Sequence, residues 1–303
     1  MKTAVIVPTL NAGSVWGGWI SALLATGINV DDVYVIDSGS IDDTVQLARD
    51  AGFNVIRIDY GTFNHGGTRQ LAVAGLHDYD LIVFLTQDAV LSDTDSIDKL
   101  LLPFEDDNVA AVCGRQLPRQ KAGVIEAHAR LFNYPETSAV NSINDAGNKG
   151  LKAAFLSNSF AAYRVSALGE VGGFPANVIF GEDMYVAVKL LKTGYRVAYA
   201  ADASVYHSHG YSFYQEMQRY FDMGVFHASE PWIRQDLGDA ESEGLKFVVS
   251  EYKYLLRHEF WRIPEGMFRT LLRYTGFRLG LIEKWLPIRL KQKLAMNKGY
   301  FKR

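Results

Sequence analysis

Five consecutive apolar residues, Leu81-Ile82-Val83-Phe84-Leu85, run straight into Thr86-Gln87-Asp88-Ala89. A stretch that short and unbroken has no polar face to give to water, so it reads as a strand covered on both sides. That is the mark of a parallel sheet packed between helices. In such sheets ligands bind beyond the carboxyl ends of the strands. Asp88 stands at that end, where an acid can face a metal or a phosphate. Alone it could equally open a turn or cap the next helix, so its neighbours have to decide.

Two upstream segments repeat the pattern. Val5-Ile6-Val7 leads into Pro8-Thr9-Leu10-Asn11-Ala12-Gly13, and Val33-Tyr34-Val35-Ile36 leads into Asp37-Ser38-Gly39-Ser40. Helical spacing fills 16–25 and 44–51, residues 54–58 read as a third strand, and Gly66-Gly67-Thr68-Arg69 opens another helix. Strands alternating with short helices over about 90 residues predict βαβ units. No G-x-G-x-x-G follows the first strand, which disfavours a dinucleotide fold. Three strand ends therefore bring Thr9 and Asn11, Asp37, and Asp88 to one crevice.

Downstream, 93–107 reads as a helix and 109–113 as another strand. Residues 114–150 are broken by Pro118, Asn141, Asn144 and Gly147, and are expected to form a long irregular segment, a substrate loop or a disordered one. Ser157-Asn158-Ser159 sits inside an apolar stretch, and Gly172-Gly173-Phe174 marks a turn. Gly181-Glu182-Asp183 precedes a helix over 185–193, where two acids suit the helix dipole even without a further role. Two short strands, 196–199 and 204–206, are expected before His207-Ser208-His209.

The 303 residues allow one large domain and an extension. A single cysteine, Cys113, cannot form an internal disulfide and fits a reducing, cytoplasmic setting. The N-terminal apolar run is too short for a signal peptide, and no run reaches transmembrane length. Charge divides unevenly. Residues 1–244 hold 17 Lys and Arg against 30 Asp and Glu, whereas residues 245–303 hold 14 against 4. That split suggests a basic tail facing an anionic surface.

Taken in order, Val5-Ile6-Val7-Pro8-Thr9, Val35-Ile36-Asp37-Ser38-Gly39-Ser40, Leu85-Thr86-Gln87-Asp88-Ala89, Gly181-Glu182-Asp183 and Tyr206-His207-Ser208-His209 resemble the inverting family 2 glycosyltransferases. Thr86-Gln87-Asp88-Ala89 and the Ser157-Asn158-Ser159 to Gly172-Gly173-Phe174 run resemble its bacterial rhamnosyltransferases in particular. The match spans roughly residues 3–212. It implies an α/β GT-A fold: a mostly parallel nucleotide-binding sheet flanked by helices, followed by a helical, basic C-terminal extension. The expected divisions are a catalytic domain over 1–244, with a donor half to about 114 and an acceptor half from 115, and the extension over 245–303.

The resemblance also implies roles. Thr9, Asn11, Asp37, Arg69, Gln87 and Asp88 are expected to bind the nucleotide-sugar, most specifically dTDP-L-rhamnose. The acceptor is a saccharide, expected to be linked to a polyprenyl diphosphate. The family usually carries Asp-x-Asp after the central strand. Here Thr86 and Ala89 flank Asp88, leaving one carboxylate. Mg²⁺ or Mn²⁺ can still be held by few protein ligands with the rest from phosphates and water. Asp88 and His207 are the expected pair, with His209 in reserve. Inverting transfer needs a base opposite the leaving group, and a metal can replace the acid that a hydrolase needs. Asp183 is the expected base, with Glu182 positioning it or bonding the acceptor.

The extension has apolar residues at helical spacing from Phe268 to Leu286 and basic residues at Arg262, Arg269, Arg273, Lys284, Arg289, Lys291 and Lys293. A peripheral site on the inner face of the cell membrane fits this pattern, with Trp261 and Trp285 as interfacial anchors. Packing onto the catalytic domain or a second subunit of a homodimer fits the stripe as well. A nucleotidyltransferase would need a Gly-rich, basic turn that Asn11-Ala12-Gly13-Ser14 lacks, and tail charge alone does not argue for nucleic acid. The remaining rivals are a non-catalytic GT-A-fold nucleotide-sugar-binding or scaffold protein, whose best support is the thin Asp88 motif, and a transferase using a UDP-sugar donor instead.

Overall fold

The computed structural model describes residues 1–238 and 241–302, so residues 239, 240 and 303 of the expected divisions lie outside the described residues. Nine strands form one sheet: β1 (Thr3–Thr9), β2 (Val33–Asp37), β3 (Asn54–Arg57), β4 (Leu81–Leu85), β5 (Val90–Leu91), β6 (Val109–Leu117), β7 (Ala139–Asn141), β8 (Phe160–Arg164) and β9 (Arg196–Tyr206). Their order is β3-β2-β1-β4-β8-β6-β9-β5, with β7 on β9. β1 pairs in parallel with β2 and β4, and β2 with β3, as the alternating pattern requires. β8 then runs antiparallel between β4 and β6.

β4 is buried along its whole length. Ile82 and Phe84 enter the core on one face of the sheet, while Leu81, Val83 and Leu85 enter the core on the other. That alternation follows from the two-residue period of a strand. It explains why an unbroken apolar run is needed here. The carboxyl ends of β1, β2 and β4 open side by side, which is where Thr9, Asp37 and Asp88 lie.

The helices are α1 (Trp16–Leu24), α2 (Thr44–Asp50), α3 (His65–Ala74), α4 (Ser96–Leu101), α5 (Val124–Asn133), α6 (Ala146–Lys149), α7 (Val165–Glu170), α8 (Glu182–Lys192), α9 (Phe213–Ser229), α10 (Pro231–Leu237), α11 (Glu241–His258), α12 (Ile263–Leu281) and α13 (Ile288–Leu294). Three expectations are corrected. The segment 114–150 is not one irregular loop, since it holds the end of β6, then α5, β7 and α6. α5 escaped the periodicity because a histidine sits on its inner face: buried His128 packs among Phe132, Phe247 and Tyr254. The helix expected over 93–107 is α4 followed by a tight 3₁₀ turn from Leu102 to Glu105 around Pro103. The two strands expected over 196–206 are one, β9, whose register against β6 shifts between Gly114 and Arg115.

The extension is bound tightly to the rest. α12 lies against α9 with the two backbones in contact: a Cβ on Gly276 would collide with the Met217 carbonyl, one on Gly280 with that of Phe221, and one on Gly224 with that of Phe277. Beside this seam, buried Arg273 reaches Glu216 at 2.6 Å and Glu251 at 3.1 Å, and Arg269 reaches Glu216 at 2.6 Å and Glu265 at 2.9 Å. Arg262 and Lys291 are likewise paired, with Glu265 and Glu283. Four of the basic residues that the sequence offers to an outside surface are thus neutralised within the fold.

Candidate active site

At the end of β2, Asp37 is buried and accepts hydrogen bonds from Thr9 Oγ1 (3.2 Å), Gly39 N (3.1 Å) and Ser40 N (3.0 Å). Asn11 ties the neighbouring turn to this one: its N–H donates to Ser40 Oγ (2.8 Å), and its Oδ1 accepts from Ile41 N (2.9 Å). It is the one non-glycine at positive φ (+47°) among the described residues, a conformation Asn tolerates better than most. Gln87 is used differently. Its Oε1 accepts from Leu10 N (2.8 Å) and its Nε2 donates to Leu10 O (3.1 Å), which clasps the end of β4 to the end of β1. The crevice thus has a rigid polar floor before any ligand enters.

Beyond β4, the Asp88 carboxylate lies 3.4 Å from His207 Nε2 and 3.8 Å from His209 Nδ1, and the three ligand atoms fall within 4.8 Å of one another. Arg119 Nη2 donates to the Asp88 carbonyl (2.8 Å) and lies 3.4 Å from its Oδ2. Burial works against ionised Asp88, but the hydrogen bond and charge of His207, with help from His209, outweigh it and hold the carboxyl well below its ordinary range. Burial favours neutral His207, and burial together with His207 pushes His209 down to about 3.

The tautomer of His207 follows from its other nitrogen. Its Nδ1 sits 2.8 Å from Gln116 Oε1, the same oxygen that accepts from Arg130 Nη1 at 2.8 Å. A guanidinium can only donate, so that atom is the amide oxygen, and His207 must carry its proton on Nδ1. In the neutral ring, which burial favours, the Nε2 lone pair faces Asp88; in the protonated ring Nε2 donates instead, and it is that form which holds the Asp88 carboxyl low. An ionised carboxylate and two imidazoles converging with open lone pairs form an N,O donor set that suits a divalent cation, and Gln116 is the outer partner that keeps one ligand aimed.

The second carboxylate cluster starts α8. Gly181, at φ +77°, takes the left-handed turn that leads into the helix. Buried Glu182 receives Arg69 Nη1 at 3.0 Å and Asn158 Nδ2 at 2.9 Å. Asp183 accepts from Met184 N (2.8 Å) and Asn158 N (3.3 Å). Burial, then the charge of Glu182, pushes Asp183 up to about 7. For Glu182 burial acts in the same sense, but Arg69 and His65 reverse it and hold the group low. One turn of one helix therefore carries a carboxylate fixed as an ion and a carboxylate able to exchange a proton near neutrality.

Ser157-Asn158-Ser159 links the two clusters. Ser157 Oγ accepts from Gln116 Nε2 (2.8 Å), Asn158 contacts both acids of α8, and Ser159 O accepts from Thr86 N (3.2 Å) at the end of β4. Tyr163 O–H locks Asn158 through its Oδ1 at 2.6 Å. A profile described as "Glycosyltransferase like family 2" matches residues 2–221. The chain belongs to this family. As a family 2 glycosyltransferase it is 48% identical over 302 residues to the O-antigen chain rhamnosyltransferase RfbN of Salmonella typhimurium, covering 99% of this chain and 96% of that one. It is 45% identical to the O-antigen chain rhamnosyltransferase WbaN of Salmonella anatum, covering 98% and 95%. Its fold is similar to that of the mannosyltransferase PcManGT of Pyrobaculum calidifontis, solved with GDP-Man and Mn²⁺, at a TM-score of 0.59 and 18% identity over 99% of this chain and 85% of the other.

The structure brings Asp88, His207 and His209 together, and gathers Thr9, Asn11 and Asp37 at one turn. Arg69 faces Glu182, so it stands behind the acid pair. Sequence reasoning passed over Gln116, Arg119, Arg130 and the individual role of Asn158. Gln116 lies next to the end of β6, after Gly114 and Arg115, beyond the apolar run 109–113, so no break in an apolar pattern marked it.

Proposed function

We propose that this glycosyltransferase moves L-rhamnose from dTDP-L-rhamnose onto a growing O-antigen saccharide carried on a polyprenyl diphosphate, with inversion at the anomeric carbon. The names of the two Salmonella relatives support the sugar and the pathway. The observation that carries the chemistry is Asp183, the carboxylate of the acid pair able to take up a proton near neutral pH. Its carboxylate removes the proton of an acceptor hydroxyl as that oxygen attacks the anomeric carbon. The bond from that carbon to the diphosphate breaks on the opposite face, and the nucleotide diphosphate departs. Glu182, neutralised by Arg69, keeps Asp183 in place without competing for the proton.

Asp88, His207 and His209 would hold Mg²⁺ or Mn²⁺, which when bound supplies positive charge to the leaving diphosphate. Thr9, Asn11 and Asp37 form the nucleotide wall, and Gln87 holds its two strand ends together. A lipid-linked acceptor puts the working enzyme at the inner face of the cell membrane, as a peripheral protein.

Incubation with dTDP-L-rhamnose, UDP-glucose or UDP-galactose and a lipid-linked oligosaccharide, read by mass, tests the reading. One added deoxyhexose from the dTDP donor alone is expected. Turnover with a UDP-hexose and none with dTDP-rhamnose would overturn the donor assignment.

A further inference from the structure

Helix α12 is turned inside out. Met267, Leu271, Tyr274 and Arg278 recur every three or four residues and so share a face. That face is outward: Met267 and Leu271 are each 58% exposed and Tyr274 61%. The opposite side, with Gly266, Arg273, Gly276 and Gly280, is the buried one. A surface helix ordinarily buries its apolar stripe. This one buries glycine and paired arginine and leaves the apolar stripe uncovered. The exposed apolar surface continues at both ends, through Phe260 and Trp261 before the helix and Ile282, Trp285 and Ile288 after it, with Trp285 87% exposed. A contiguous patch of this kind marks a surface that meets something.

The charges say what it meets. All four carboxylates of residues 245–303 are already paired: Glu251 with Arg273, Glu259 with Arg262, Glu265 with Arg262 and Arg269, and Glu283 with Lys291. Arg257, Arg278, Lys284, Arg289 and Lys293 are exposed and have no carboxylate partner among the described residues. The extension that carries the patch is therefore left with uncompensated positive charge, Arg278 on the same face of α12 and Lys284 and Arg289 shortly after it. A second copy docked by a two-fold axis would set these cations against their own images, which opposes a homodimer through this face. Anionic lipid headgroups complement them, and Trp and Tyr suit the headgroup boundary. Among the described residues no helix is long and apolar enough to cross a membrane, so the fitting geometry is a helix lying on the surface.

We propose that the outward face of α12, with Trp261 and Trp285 at its two ends, docks on an anionic phospholipid bilayer with the helix axis parallel to the membrane plane. This deepens the peripheral location given above and assigns it to a face opposite to the glycine seam. It does not depend on which sugar is transferred.

Full-length protein is sedimented with vesicles of phosphatidylglycerol and phosphatidylethanolamine, or of phosphatidylcholine alone, at low and high salt. Binding to the anionic vesicles at low salt and release at high salt are expected. The exposed pair Leu271→Gln with Trp285→Ser should lower the bound fraction at least tenfold while transfer to a soluble acceptor analogue stays unchanged. Quenching of wild-type tryptophan fluorescence by lipids brominated near the headgroup supports the same face without any variant. The proposal is overturned if the wild type ignores anionic vesicles, if the double variant binds as well as the wild type, if no quenching occurs, or if the same substitutions instead split a dimer in solution. Loss of transfer from dTDP-rhamnose with vesicle binding intact would count against the donor reading only.

Discussion

The two carboxylate clusters of the site are joined by the three residues 157–159, yet they are built in opposite ways. Asp88 is half open, ringed by His207, His209 and Arg119, and held ionised. Asp183 is likewise partly buried, but it stands beside a second carboxylate and is pushed up to about 7. The residue type is the same and the surroundings divide the work: one aspartate keeps a charge to offer, the other keeps a place for a proton. Two acids whose environments drive them apart are how one fold performs ligand and base chemistry at one pH.

Exchanging the proton-accepting carboxyl for an amide should break this division most severely. Asp183→Asn is expected to lower kcat by about 10²–10⁴-fold while leaving donor affinity unchanged, read by steady-state kinetics and by calorimetry of nucleotide diphosphate binding. The same variant should be more stable than the wild type. A carboxyl whose folded range is raised costs nothing below the ordinary carboxylate range, where it is protonated in both states. The cost grows as pH rises and is complete above about 7. Thermal unfolding at pH 8 should then show a gain of about 2 kcal/mol once water access is allowed for, shrinking toward none at pH 4.

A smaller effect is expected on the other side. Gln116→Leu removes the acceptor that fixes the His207 tautomer, and should weaken Mn²⁺ affinity about 10–100-fold in titrations with nucleotide diphosphate. Gln116→Glu, which can still accept from His207 Nδ1, should restore much of it. In neither variant should the pH dependence of transfer move, since Asp183 is untouched. A displaced profile would mean that the clusters are not separable.

The mildest change sharpens the acid pair itself. Wild-type kcat/KM should fall as pH drops through about 7, because the proposed base, Asp183, must be deprotonated to act. Glu182→Gln removes the negative neighbour, so the acidic limb should move down by about one pH unit. An unmoved limb would assign the titration to another group.

Much of this was legible before any coordinates. The unbroken run 81–85 requires a strand buried on both faces, and the neighbouring strand ends with Thr9 and Asp37 put Asp88 at a shared crevice. The histidines were picked out by the family resemblance, through their place after the Glu182-Asp183 motif, and not by periodicity. Gln116 and Asn158 were not legible, since their work is to hold other side chains and such contacts leave no periodic trace. Arg69 was expected near the nucleotide from the family resemblance alone; its ion pair with Glu182, more than a hundred residues away in the chain, had no sequence signal. The facing of α12 was hidden for a different reason. Periodicity reports that a helix has an apolar side, but a seam of glycines can hold the helix by its other side.

That seam has a practical bearing on how the enzyme is handled. Removing the last forty or so residues looks like a simple way to obtain a better-behaved catalytic fragment. It would strip Glu216 and Glu251 of their guanidinium partner and uncover the α9 backbone at Met217, Phe221 and Gly224, where a second backbone used to lie. A shortened protein that precipitates would then report on the missing scaffold and say nothing about lipid. Single outward-facing substitutions keep the scaffold and change only the surface.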